Sequence, residues 1–83
     1  METADRLRLE NQVTVTIIGP DGTTLYSAKG NGFHNIEEAI NAAINDANLE
    51  VNPENCVFEV SNDSTDVSHR YRINAHGHLK LIV

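Results

Sequence analysis

Three histidines near the end of the chain, His69, His76 and His78, suggest a metal site by their type and spacing, since imidazole binds zinc and copper. Predicted strands over 67–74 and 78–83 place His69 on one face, His78 on the other and His76 in the turn. His69 and His76 are then roughly 20 Å apart at ~3.3 Å per residue. A pair of histidines at one turn has too few ligands for structural zinc. We therefore expect no metal and no other cofactor.

A nucleophile beside a base is the second chemical possibility, because Ser68 precedes His69 and the chain has one cysteine, Cys56. Adjacent residues on a strand point to opposite faces, which prevents contact between Ser68 and His69. The sequence indicates no base for Cys56. It also indicates no pair of carboxylates in contrasting environments, as an acid and a base would need. We therefore assign no catalytic residue, and a small oligomeric enzyme is the third-ranked hypothesis.

A glycine-rich segment containing Lys29, Gly30, Gly32 and His34 leads into the predicted helix. Free amides and the dipole at a helix N-terminus favour an anion, so a small-molecule site would lie here. The segment lacks the Gly-Lys-Ser/Thr of a phosphate-binding loop. The simpler interpretation, which we favour, is a strand-to-helix turn that needs two flexible positions.

The end of the chain is its basic part. Residues 67–83 contain Arg70, Arg72, Lys80 and no acid, whereas residues 1–66 hold three basic and twelve acidic residues, and the formal net charge is −6. Alternation along the terminal strands predicts that the three cations share one face of a hairpin, pointing away from the core.

Two interpretations of this basic face are open. The simpler one, which the sequence favours, is a solvated surface on which Glu59 provides a counter-charge. The functional one is that Arg70, Arg72, Lys80 and Tyr26 lie on the bare face of a sheet and bind a protein partner or a single-stranded nucleic acid.

The elements that position these residues begin with a hairpin. Alternating apolar residues from Val13 to Ile17 predict a half-buried strand. A three-residue loop at 20–22, with glycine in the left-handed conformation, returns the chain. The register that keeps apolar residues together places Ile17 opposite Leu25 and a threonine opposite Tyr26.

A helix follows the glycine-rich segment. Asn35 is the predicted N-cap, with Glu38 three residues later as in a capping box, and Asn48 ends the helix in the left-handed conformation. An apolar stripe with spacings of three and four defines its buried face: Ile36, Ala39, Ile40, Ala43, Ile44 and Ala47.

The remainder of the chain alternates as strands. Cys56, Phe58 and Val60 predict a third strand, and a loop at 75–77 with Gly77 in the left-handed conformation predicts a terminal hairpin. Its predicted pairs are Ile73 with Leu79, Tyr71 with Leu81, and Arg72 with Lys80.

The resulting order, ββαβββ, predicts a two-layer α+β sandwich, with one helix packed on one face of a five-stranded, mostly antiparallel sheet. A helical connection makes strands 2 and 3 parallel, while the strand order does not follow from the sequence. The expected residues beneath the helix are Val13, Val15, Ile17, Leu25, Phe58, Tyr71, Ile73, Leu79 and Leu81.

Length and composition, with 40 % hydrophobic and 22 % charged residues, are typical of one soluble domain over 1–83. Residues 1–8 are either disordered or an extension of the first strand. The charged start lacks the apolar stretch of a signal peptide, no run reaches the ~18 residues of a membrane span, and a lone cysteine fits a reducing compartment. We expect a cytoplasmic protein without membrane contact.

Binding is the function class that these patterns favour. The leading hypothesis is a small binding or adaptor module that acts through protein–protein contact or self-association. The alternative is anion or nucleic-acid binding through the basic face of the terminal hairpin. Nucleic acid is disfavoured because the chain has two Phe, two Tyr and no Trp for stacking, and because its net charge of −6 repels phosphate.

Overall fold

The computed structural model describes residues 12–63 and 65–82, so the alternatives for residues 1–8 lie outside the described residues. The predicted element order ββαβββ and the α+β two-layer architecture are confirmed. A short 3-10 turn, Pro53–Asn55, precedes the third strand. The elements are β1 (Val13–Ile18), β2 (Thr24–Gly30), α1 (Ile36–Ala47), β3 (Val57–Asn62), β4 (Val67–Ile73) and β5 (Leu79–Ile82).

The five strands form one sheet in the order β2-β1-β3-β4-β5, and every neighbouring pair is antiparallel. Strands β2 and β3 are both antiparallel to β1, so they run parallel to each other, as predicted, with β1 between them. The sheet order, which the sequence left open, places β3 at the centre and β2 and β5 at the two edges.

Helix α1 forms where its caps and apolar stripe predict. The Asn35 side chain accepts a hydrogen bond of 2.8 Å from the Glu38 amide, and Asn48 ends the helix in the left-handed conformation with φ 53°. The stripe packs on β1, β2 and β3. We call the face of the sheet that carries α1 the inner face and the opposite one the outer face.

The core lies between α1 and the three strands beneath it. Ile17, Ile40 and Phe58 are fully buried at 0 % exposure. The other buried members are Val13, Val15, Ala39, Ala43, Cys56 and Val60.

The first hairpin keeps its predicted loop but not its predicted register. The Gly19 amide donates to the Thr23 carbonyl at 2.8 Å. Beyond the turn, the register shifts at a β-bulge between Ile17 and Ile18, so that Ile17 lies opposite Tyr26 and Leu25 is left without a cross-strand partner. The expected pairing of Ile17 with Leu25 is therefore wrong.

The bulge also reverses the faces of β2. Tyr26 now points to the inner face and packs against the core, whereas Leu25 is 42 % exposed. Leu25 is thus wrongly predicted as a core residue. It is the extra residue of the bulge and lines a cleft with Ala47 and Leu49 at the end of α1 instead of packing in the core.

The terminal hairpin, defined here as residues 67–82, matches its prediction. Ile73 pairs with Leu79, Tyr71 with Leu81, and Arg72 with Lys80. Gly77 has a φ of 84°, and the Asn74 amide donates to the His78 carbonyl at 3.0 Å.

Candidate docking surface on the terminal hairpin

The inner face of the terminal hairpin extends beyond the helix. Val67 and Leu81 point to this face but are 48 % and 49 % exposed. Tyr71, Ile73 and Leu79 are half-buried and pack against the edge of the core. The expectation that α1 covers Leu81 is wrong, and an apolar strip remains open on β4 and β5.

The width of the elements explains this open strip. A helix is about 10 Å across, while neighbouring strands are ~4.8 Å apart, so five strands span roughly 19 Å. One helix therefore covers two or three strands. With one helix and five strands predicted, this comparison of widths is the signal that could have shown that part of the sheet stays uncovered, although not which strands.

The open strip borders a cleft beside the start of α1. Its volume is about 310 Å³. Val13 and Val60 lie at its core side, Ile36 on the helix forms one wall, and Val67 and Tyr71 belong to the terminal hairpin. Asn62, Thr65 and His69 also line the cleft. Exposed His69 lies between Val67 and Tyr71 on the inner face, so the continuous apolar strip consists of Tyr71, Ile73, Leu79 and Leu81, with Val67 on the far side of His69.

The outer face of the terminal hairpin carries the three predicted cations. Arg70 lies opposite Glu59 on β3, with 3.4 Å between the Arg70 Nε and a Glu59 carboxylate oxygen. The expected counter-charge is therefore present for Arg70. Arg72 and Lys80 lie directly opposite each other on β4 and β5. Within residues 12–63 and 65–82, no acid lies at ion-pair distance from either of them.

Two like charges in a cross-strand pair destabilise a sheet. The Arg72–Lys80 pair therefore has an electrostatic cost that an acidic group from outside the described part of the chain could offset.

Tyr26, the fourth residue of the predicted binding face, lies elsewhere. It belongs to β2, at the opposite edge of the sheet from β5, and its side chain is on the inner face because of the bulge. Its hydroxyl donates to the Asp46 carboxylate on α1, and this hydrogen bond raises the pKa of Tyr26. The structure thus brings Arg70, Arg72 and Lys80 together on one face and separates Tyr26 from them.

The loop proposed for an anion has its charged groups already paired. The Lys29 ammonium lies 3.2 Å from one carboxylate oxygen of Asp63, and the other oxygen accepts a hydrogen bond of 3.1 Å from the Thr14 hydroxyl. The His34 amide donates at 2.7 Å to the Glu38 carboxylate. These contacts from His34, the backbone one first, hold the pKa of Glu38 below its usual value. Glu38 therefore occupies the position that a bound anion would need.

Packing explains one glycine of this loop and backbone conformation explains the other. A Cβ on Gly30 would lie 2.9 Å from the Phe33 ring, and Gly32 adopts a φ of 78°. Gly32 therefore fits the expected flexible turn position, whereas Gly30 is the last residue of β2 and is required by packing rather than by backbone flexibility.

The remaining chemical candidates are dispersed. The rings of His76 and His78 have centroids 6.3 Å apart, while His69 lies on the inner face opposite Val60. Among the described residues, no three His, Cys, Asp or Glu side chains are placed to hold a metal ion. Cys56 is buried, and desolvation raises the pKa of its thiol, so a reactive thiolate is disfavoured.

The free edge of β5 completes the candidate surface. In the described part of the sheet, β5 is paired on one side, with β4. The bond from Asn74 to His78 marks a hydrogen-bonded pair, and such pairs alternate along an antiparallel ladder. Arg72 and Lys80 form the next one, so the backbone N–H and C=O groups of Leu79 and Leu81 point away from β4.

Comparison of the chain with protein-family models, curated proteins and solved structures finds no match. No helix in the described residues has the length and apolar character needed to cross a membrane.

Proposed function

We propose that this protein is a small protein-binding module whose docking surface is the terminal hairpin. The observation that carries the proposal is the apolar strip that α1 leaves open, where Val67 and Leu81 are 48 % and 49 % exposed. Leu81 adjoins Tyr71 and Leu79 on this face, and His69 borders them with a polar side chain. Exposed apolar surface rimmed by polar residues is typical of interaction sites.

The expected gain from docking follows from the exposed area. Fully burying a Val or Leu side chain stabilises by about 1.5–3 kcal/mol, so covering the exposed halves of Val67 and Leu81 contributes roughly 1 kcal/mol each. The half-buried Tyr71, Ile73 and Leu79 extend the contact. A partner protein or a second copy of the chain could supply the covering surface.

Anion or nucleic-acid binding is the second candidate. The cross-strand pair of Arg72 and Lys80 favours it, because neither has an acid at ion-pair distance among the described residues. Two features weigh against it. Tyr26 faces α1 rather than the basic face, which removes the aromatic platform that stacking on a base requires. The net charge of −6 also repels phosphate at close approach, although at 0.1 M salt this repulsion is largely screened beyond about 10 Å. Retention on immobilised single-stranded DNA that falls steeply with salt would support this candidate.

We place this activity in the cytoplasm. The proposal is supported by the lone buried thiol of Cys56, which suits a reducing compartment.

Two matched variants test the docking surface. Leu81→Glu places a charge on the open strip, whereas Leu25→Glu places the same charge on a similarly exposed leucine at the other edge. Proteins retained by immobilised wild type and by each variant are quantified side by side, and sedimentation measures self-association. We expect Leu81→Glu to lose the specific partner or the self-association and Leu25→Glu to retain it, with both variants folded. Equal retention by all three proteins would contradict the proposal.

A further inference from the structure

The two edges of the sheet differ in their ability to accept another strand. On β2, the bulge at Leu25 interrupts the ladder, and natural sheets use such bulges to prevent edge pairing. The ladder between β4 and β5 is regular over all four of its pairs. Each edge strand has one charged residue, Lys29 on β2 and Lys80 on β5. The inner face differs, because α1 packs over β2 whereas Leu81 on β5 is 49 % exposed. Edge β5 is therefore the more receptive of the two.

The backbone of β5 defines where an added strand would bond. Leu79 and Leu81 direct their N–H and C=O groups to the open side, so in an added antiparallel strand the partner residue opposite each of them would exchange two hydrogen bonds with it. Partner residues in these positions would have side chains on the inner face, next to Leu79 and Leu81. An apolar side chain fits there, because it extends the exposed apolar strip.

The outer face determines which side chains fit at the other positions of an added strand. The partner residue opposite Lys80 has its side chain on the outer face, beside the Arg72–Lys80 pair that has no acid at ion-pair distance in the described residues. A carboxylate in that position would offset the like-charge cost. A second copy pairing through its own β5 would instead join two basic outer faces side by side, which charge disfavours.

We propose that β5 is a docking edge for an extended segment of a partner protein in which acidic residues alternate with apolar ones. The segment adds a sixth strand, with its apolar side chains on the inner face and its acidic side chains beside Arg72 and Lys80. This inference rests on the proposed function and specifies the mode of docking and the chemistry of the partner.

The probe is a capped eight-residue peptide of alternating Glu and Val, titrated at pH 7 into the full chain labelled with ¹⁵N. We expect amide shift changes and slowed hydrogen exchange centred on Leu79 and Leu81. N-methylation of a central Val, whose amide faces β5, should abolish binding. N-methylation of a central Glu, whose amide points away, should leave the affinity within about twofold, which separates strand addition from non-specific apolar contact.

Charge variants test the outer-face contact. Lys80→Glu should lower the affinity for the Glu–Val peptide by about tenfold or more, since a like-charge contact at an interface is costly. Lys29→Glu, the same change on the edge strand β2, also removes the ion pair with Asp63, so its amide spectra are first checked for the native fold. Its affinity for the peptide should then stay within about twofold of wild type. A peptide of alternating Lys and Val should fail to bind wild type and should bind Arg72→Glu/Lys80→Glu.

Four results would overturn the inference. They are absence of peptide binding, equal binding of the Glu and Lys peptides, a concentration-dependent dimer of the free chain that Leu81→Glu disrupts, and displacement of the peptide by single-stranded DNA. The comparison of proteins retained by immobilised wild type, Leu81→Glu and Leu25→Glu distinguishes failure of the strand mode from failure of the docking surface. If the peptide fails but Leu81→Glu still loses the partner, the docking surface stands and the strand mode is wrong. If Leu81→Glu also retains the partner, the proposed function fails.

Discussion

Replacing Ile40 by aspartate should unfold the protein. Ile40 is at the middle of the buried stripe of α1 and is 0 % exposed, packed over the sheet with the other core residues. No buried polar or charged residue is present among the described residues of the core, so no cation is available there to pair with a new carboxylate.

The expected loss of stability in Ile40→Asp can be estimated in two steps. Ile40→Ala removes the buried methyl groups and leaves a cavity, which costs about 2–5 kcal/mol. Ile40→Asp adds the cost of burying an unpaired carboxylate, which is several kcal/mol more. A chain of 83 residues has a total free energy of unfolding of about 4–12 kcal/mol at the usual stability per residue. The alanine variant should therefore fold with reduced stability, and the aspartate variant should not fold.

The control is Asn41→Asp, which adds the same charge at the next position, on the exposed face of the same helix. Urea unfolding followed by circular dichroism, together with amide spectra, should show a stability within about 0.5 kcal/mol of wild type for this control. A cooperatively unfolding Ile40→Asp with unchanged amide spectra would refute the assignment of the helix face.

Three further predictions follow from individual contacts. Gly30→Ala should cost about 1–3 kcal/mol, because its Cβ would lie 2.9 Å from the Phe33 ring; an unchanged melting temperature would show that the ring has room to move. Glu38 has a lowered pKa in the folded state, so its contribution to stability is complete above the ordinary value of 4.5 and is lost as the pH falls through the folded pKa. Glu38→Gln should flatten the dependence of the melting temperature on pH in this acidic range, and an unchanged slope would contradict this assignment. Arg70→Glu/Arg72→Glu should remain folded, with a loss below about 1 kcal/mol because both side chains are exposed, but should weaken partner binding; unfolding would mean that the outer face is buried.

Local signals explain what could be predicted from the sequence. Asn35, Glu38 and Asn48 bound the helix because caps depend on residues within one turn of each other. The terminal hairpin was predictable because its loop residues and its alternation of faces both favour one register. The placement of Arg70, Arg72 and Lys80 on one face followed from that register.

The errors come from two features that alternation does not encode. The bulge at Leu25 adds one residue to β2 and thereby turns Tyr26 to the inner face, although the loop before it forms as predicted. The uncovered strip depends on strand order and on the width of α1 relative to the sheet, both of which are properties of the assembled fold. As a result, the basic part of the candidate surface was predictable, whereas its apolar part, Val67 and Leu81, was missed.

The central claim is that the terminal hairpin is the docking surface. Its most direct measurement is amide hydrogen exchange of the full chain, free and in complex with the partner that wild type captures and Leu81→Glu loses. We expect exchange to slow at Leu79 and Leu81 and along β4, with little change in α1 and β2. Slowed exchange confined to α1 or β2, with β5 unchanged, would contradict the claim.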